Sequence, residues 1–246
     1  MKYLKLYESK EVINALLSLN RIRKFKQSNE RHLLKNYIEN VCDHFKIDNY
    51  EIDDDFLVNV NSDVYIYNED LNFIPLEFKN VSGDFKCYSN KLESLAGSPT
   101  NVGGDFNCSV NNITSLEGGP KYVGGNFYCN NNLLTSLEGG PKYVGGGFCC
   151  NNNNLTSLKG IPDRINGSLN IESNHIKNFE DIPKIGGSLH LQKNPVFNIW
   201  ELFMDIEKIE LFNYYDIIQG DTIIGSRLYE FLKDIGKFNF SGYKIV

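Results

Sequence analysis

Hydrophobic positions recur every 21 residues through the middle of this chain. One column runs Phe85, Phe106, Phe127, Phe148 and Leu169, with Leu189 following after a step of 20. Two residues on, a second runs Cys87, Cys108, Cys129, Cys150, Ile171 and Leu191. A third is Leu92, Ile113, Leu134, Leu155, Ile176 and Val196, and a fourth is Leu95, Leu116, Leu137, Leu158, Phe179 and Ile199. Val64, Ile66, Leu71 and Ile74 form a degenerate earlier copy. Side chains two apart on a strand point the same way, so Phe85 and Cys87 face inward together. Leu92 and Leu95 then close the coil on its other side. The pattern predicts a repeat solenoid of about seven coils. It has a parallel β-sheet on one face, a largely irregular opposite face and helical caps at both ends. One coil's few inward side chains cannot offset the ordering of 21 residues, so coils are stable only as a stack.

The flanks carry a different period. Val12, Ile13, Leu16 and Leu17 have helical spacing over residues 9–19, as do Leu33, Leu34, Tyr37, Ile38, Val41, Cys42 and Phe45 over 29–45. Ile52, Phe56, Val58 and Val60 alternate like a strand feeding the first coil. Beyond Pro195 helical stretches are expected at 198–206 and 223–235, with a short strand from Tyr243 to Val246. The expected division is an N-terminal helical cap with a strand at 1–59, the solenoid at 60–200 and a C-terminal helical cap at 201–246.

Polar and special residues keep the same step. Asn90, Asn111, Asn132, Asn153, Asn174 and Asn194 form an unbroken file. Turned inward, such amides can bond to backbone groups stranded where the chain bends, or to one another. Gly83, Gly104, Gly125, Gly146, Gly167 and Gly187 precede each strand, where a positive φ or close coil-to-coil approach would exclude a side chain. Pro99, Pro120, Pro141, Pro162 and Pro183 mark the period.

Read within one coil, residues 127–141 are FYCNNNLLTSLEGGP. This resembles the leucine-rich-repeat consensus LxLxxNxLxxL in its short bacterial form, known from secreted effectors of pathogenic bacteria. With Val-Gly-Gly ahead of the strand and Cys within it, the pattern is closer to uncharacterised bacteriophage repeat proteins. The opening Lys-Leu-Tyr-Glu and the late Phe-Leu-Lys-Asp-Ile-Gly-Lys are also similar to the ends of that group. The resemblance covers residues 60–200 and implies an interaction scaffold. Effector relatives that are ubiquitin ligases carry a large catalytic domain after the repeats. About 46 residues follow residue 200 here, so that activity is not carried over.

Charge adds one asymmetry. The net charge is −6, yet residues 1–46 hold ten Lys/Arg against five Asp/Glu, leaving 15 against 26 in the rest. A basic head including Arg21, Arg23, Lys24, Lys26 and Arg31 therefore precedes an acidic body. The bland reading is a solvated helical cap; the sharper one is nucleic-acid contact. The start has no apolar run typical of a signal peptide and no stretch approaches a membrane span, so a cytoplasmic setting with reduced thiols is expected.

The chemical candidates are weak. Four of the six cysteines form one file, which is not a tetrahedron, and the Cys-x2-Cys spacing of zinc sites is missing. They read as small core hydrophobes. Cys149 should face outward as a candidate reactive thiol. Residues 220–227 mimic a phosphate loop without its lysine and read better as a turn into the last helix. His175 is expected at a turn and His190 outward on the last strand. No nucleophilic or paired-carboxylate set recurs, so neither catalysis, nor a cofactor, nor a metal is expected.

The exposed strand face remains. Its rows include Asp84, Lys86 and Tyr88; Asp105 and Asn107; Asn126, Tyr128 and Asn130; Cys149 and Asn151; Asn170 and Glu172; and His190 and Gln192. Polar and tipped with tyrosine, it suits an adaptable contact surface, with plain solvation as the alternative. The expectation is a non-catalytic module binding an unidentified protein, such as a host factor if phage-encoded. The alternatives are a structural or virion-associated spacer and nucleic-acid contact through the basic helices. No membrane partner is expected.

Overall fold

The computed structural model describes residues 31–219 and 222–237. Helix α1 (Arg31–Phe45) opens them, burying Leu34, Ile38, Val41 and Cys42 on one face. The predicted helix at 9–19, the basic residues before Arg31 and the predicted strand at 243–246 lie outside the described residues.

An antiparallel hairpin follows, β1 (Tyr50–Ile52) with β2 (Val58–Val60). Phe56, expected on a single strand with Ile52, instead sits in the connecting turn at φ 60°. From β2 onward the chain winds as a parallel solenoid, and each coil contributes two short strands to two sheets. One sheet holds β2, β4 (Phe78–Val81), β6 (Asn101–Val102), β8 (Tyr122–Val123), β10 (Tyr143–Val144), β12 (Arg164–Ile165) and β14 (Lys184–Ile185), with β1 at its edge. We call it the leading sheet. The trailing sheet holds β3 (Val64–Tyr65), β5 (Phe85–Lys86), β7 (Phe106–Asn107), β9 (Phe127–Tyr128), β11 (Phe148–Cys149), β13 (Leu169–Asn170) and β15 (Leu189–His190). Its seven strands enclose six full turns. Residues 21 apart are register partners, as Phe106 is with Phe127, and the step of 20 places Leu169 beside Leu189.

The trailing sheet is the strand set that the periodicity predicts. The leading sheet is an addition, built on the inward column Val81, Val102, Val123, Val144 and Ile165, all at most 1% exposed. The remaining half of each coil is irregular. It is sealed by the two leucine columns and by the buried prolines.

The core is one continuous cluster. Phe85, Phe106 and Phe127 stack nearly parallel at 5.6 and 5.4 Å between centroids. The four filed cysteines are fully buried beneath them. Desolvation raises their thiol pKa values, that of Cys108 to about 12. Between the two sheets the chain bends through glycine-rich pairs, and close approach is what the bend requires. A Cβ on Gly124 would lie 2.1 Å from the Gly103 carbonyl oxygen, and one on Gly104 would lie 2.2 Å from Asp84 Oδ1. Neither glycine has a positive φ.

The asparagine file turns inward. Asn132 Nδ2 donates to the carbonyls of Cys108 and Cys129 at 3.1 and 3.2 Å, and its Oδ1 accepts the Ile113 N–H at 3.0 Å. Asn111, Asn153, Asn174 and Asn194 repeat this arrangement. Each is at most 8% exposed. Asn90 is half-buried and serves Ile66, Cys87, Glu69 and Leu71. The file is thus linked through shared backbone carbonyls. Direct asparagine-to-asparagine bonds occur elsewhere, on the outer leading sheet, where Asn101 donates to Asn80 and Asn80 to Asn59, both at 2.7 Å. The residue before each inward asparagine is left-handed, including Val110 at φ 56° and Asn131 at 55°.

Past the last coil come α2 (Phe197–Phe203), α3 (Ile209–Tyr214) and α4 (Gly225–Asp234). Phe179, Phe203, Phe212 and Phe231 meet edge to face over the end of the core. The sequence pattern predicts α2 and α4 but misses α3, which is too short to show a period. Thr222–Ile223 pairs antiparallel with Ile218–Gln219 before α4, and Gly220 and Asp221, which open the stretch that mimics a phosphate loop, lie outside the described residues. Among the described residues no helix is long and apolar enough to cross a membrane.

Candidate partner-binding face

The outward side of the trailing sheet collects the predicted contact residues in successive rows, because alternation along each short strand leaves every second side chain outside. Parallel coils about 4.8 Å apart shade one another. Lys86, Tyr88, Asn107, Tyr128, Asn130, Cys149, Asn151, Asn170 and Glu172 are therefore half-buried, and only His190 and Gln192 are exposed.

These side chains divide by the bonds they make. Asp84, Asp105 and Asn126 spend one oxygen each on the next coil, their Oδ1 atoms accepting the N–H of Asp105, Asn126 and Gly147 at 2.7–2.8 Å. Asp63 begins this outer file by accepting from Asp84 N. One oxygen of each aspartate and both ends of the Asn126 amide, whose Nδ2 donates to Asp105 Oδ1 at 3.1 Å, are thus committed to holding coils together, which the sequence pattern does not reveal. Asn107 and Asn170 fold back to accept the backbone N–H two residues on. Glu172 pairs with Lys193. Among the described residues the side chains of Asn130, Asn151, His190 and Gln192 make no hydrogen bond to the chain, so their polar ends face water.

One end of the face is aromatic. Tyr67 stacks on Tyr88 at 4.6 Å and 8°, and Tyr65 meets Tyr67 edge to face at 6.1 Å. Lys86 Nζ lies 5.3 Å from the Tyr65 ring centroid and 2.8 Å from Asp84 Oδ2. The Tyr65 hydroxyl donates to Asp63 at 2.7 Å. This bond raises the tyrosine pKa; together with the Asp84 N–H it lowers that of Asp63, and the bond to Asp84 raises that of Lys86. Tyr65 and Tyr67 were missed as face residues. Stepping back 21 from Lys86 and Tyr88 finds them, so the signal was present in the period itself.

Cys149 faces outward as expected but is half-buried, and desolvation raises its pKa. Burial therefore opposes the thiolate that a reactive cysteine needs. His175 is exposed at its turn. Among the described residues no group of three metal-ligating side chains comes together. No known family matches this chain, and neither a curated protein nor a solved structure matches it.

Proposed function

We propose that this chain is a non-catalytic interaction module that binds a protein partner through the outer face of the trailing sheet. The observation that carries this reading is the combination of a rigid array of seven strands with a tyrosine cluster at one end. Along that array the polar ends of Asn130, Asn151, His190 and Gln192 are left to water. Tyrosine gives large contact area at low conformational cost, while short amides adapt their bonding to a partner. The coil pattern supports placing the chain with short leucine-rich repeats of bacterial and bacteriophage type, working in the cytoplasm of the host cell. The test is capture from host lysate on immobilised full-length protein. The paired substitution Tyr88→Ala and Tyr128→Ala should lose the captured partner while leaving the melting temperature nearly unchanged. A partner retained at the wild-type yield would move the contact off this face.

A further inference from the structure

The outer side of the leading sheet carries positive charge on an acidic chain. Coils are counted one to seven by the strands of the trailing sheet. On coils four to seven the leading strands and the residues that enter them set out Lys121, Lys142, Arg164 and Lys184 against one carboxylate, Asp163. The whole chain, by contrast, carries −6. Among the described residues Lys79, Lys91, Lys159 and Lys193 each meet a carboxylate, whereas Lys142, Arg164 and Lys184 meet none. All three are exposed. Lys121 turns its ammonium to the Gly139 carbonyl. Arg164 bonds only through Nε, to Asn166 Oδ1 at 2.9 Å, so its terminal nitrogens are left to water.

Tyrosine lies within this charge. Tyr122 and Tyr143 stack at 4.8 Å and 5°, and they are 44% and 45% exposed. Each covers one face of the other. The register sets Asn101 next to Tyr122 on one side of the pair and places Arg164 one coil beyond Tyr143 on the other. The rings therefore show water their edges and their hydroxyls, which make no hydrogen bond among the described residues.

We infer that this strip is a docking site for an acidic, extended peptide segment of a protein partner. Charge complementarity carries the assignment, because the strip holds an excess of three cations that the chain itself leaves without carboxylates. A partner's Asp and Glu side chains supply those carboxylates, and they also accept from the two tyrosine hydroxyls. Three coil steps separate Lys121 from Lys184, about 14 Å, which is the reach of four or five extended residues. A single-stranded nucleic acid fits less well. Its bases need open ring faces, and the inner faces here are taken by the stack. Its phosphates would also run past the strip onto a body with an excess of acids. The cations are exposed, so each contact is weak and the complex is reversible and salt-sensitive. This site is separate from the outer face of the trailing sheet and does not rest on the reading of that face.

Fluorescence anisotropy of a labelled poly-glutamate peptide of about ten residues, titrated with the full chain, tests this. The expected result is saturable binding with a Kd of about 10–100 µM at about 50 mM salt, rising about tenfold or more by about 500 mM. Arg164→Glu with Lys184→Glu should raise Kd at least about tenfold at an unchanged melting temperature. Tyr122→Ala with Tyr143→Ala, which leaves the charge alone, should raise it about threefold or more. A titration that fails to saturate by about 1 mM overturns the inference, as does a Kd that either variant leaves unmoved. Loss of binding on Arg21→Glu with Arg23→Glu instead would move the site to the basic head and overturn it. An oligothymidylate of equal charge that binds more tightly through Arg164 and Lys184 would make the strip a nucleic-acid site and equally overturn it. Capture on the trailing sheet is read independently, since none of these substitutions touches that face.

Discussion

Replacing Asn132 with alanine separates the two faces of the repeat more sharply than any other change. The amide makes one bond as acceptor, from the Ile113 N–H, and its Nδ2 serves the carbonyls of Cys108 and Cys129. Those carbonyls are doubly served, because Asn111 also donates to Cys108 and Asn153 also donates to Cys129. Truncation therefore leaves both of them with a partner. The Ile113 N–H, on a residue with no exposed surface, loses its acceptor outright. An orphaned buried donor costs about 1–3 kcal/mol, and weakening two carbonyls adds about 1 kcal/mol, giving about 2–4 kcal/mol in all. Asn130→Ala, two residues away on the outer face, removes no bond within the described chain and should stay within about 0.5 kcal/mol. For a chain of this length the inner variant should melt about 4–16 °C lower. Urea unfolding followed by two probes guards against a coil opening locally. Amide exchange adds a site-specific readout, since Ile113 should lose protection while Phe148 keeps it. Equal melting temperatures for the two variants, or an unchanged Ile113 amide, would refute the inward file.

Further outcomes follow from other parts of the coil. Val110 is β-branched and left-handed where neighbouring coils place Asn131 and Asn152. Val110→Asn should therefore raise stability by about 1 kcal/mol in chemical unfolding, and a loss would show that its side chain packs usefully. Gly124→Ala forces a methyl against the Gly103 carbonyl and should cost about 2–3 kcal/mol by the same assay; a neutral result would mean the coils can spread. Native Cys87, Cys108, Cys129 and Cys150 should resist a thiol reagent at pH 8, while Cys149 should react slowly. The buried thiols are raised from 9.0 in the folded chain, so the unfolded chain ionises first. Stability should thus fall as pH climbs above 9, by up to about 1.4 kcal/mol per unit for each thiol, and Cys108→Ala should flatten that slope.

The period alone made the trailing sheet, the core columns and the inward asparagines readable, since a side chain that recurs without exception every 21 residues must meet the same surroundings. Three features were not readable, each for a physical reason. The leading sheet escaped because Val123 is a single inward residue on a two-residue strand, flanked by the variable Tyr122 and by glycine. The structural duty of Asp84 and Asp105 escaped because a carboxylate holding the next coil's N–H is indistinguishable in sequence from one facing a ligand. Tyr65 and Tyr67 were within reach, but their coil keeps only part of the pattern, with Glu69 standing where later coils have asparagine. α3 offered six residues, fewer than two helical turns, and is held by Phe212 packing into the aromatic end cluster rather than by any local signal.

The way each asparagine ties its own winding to the one before gives this architecture a seam at every repeat. A carbonyl at the strand end takes one amide proton from its own winding and one from the next, and the amide oxygen reaches back to a single N–H. From Asn111 to Asn194 each border is crossed by the same atoms in the same order. A stretch of 21 residues could therefore be excised or duplicated between, for instance, Asn111 and Asn132, and the cut edges would find matching partners. Length in such a molecule can grow or shrink by whole windings, while the terminal helices and their aromatic plug stay as they are.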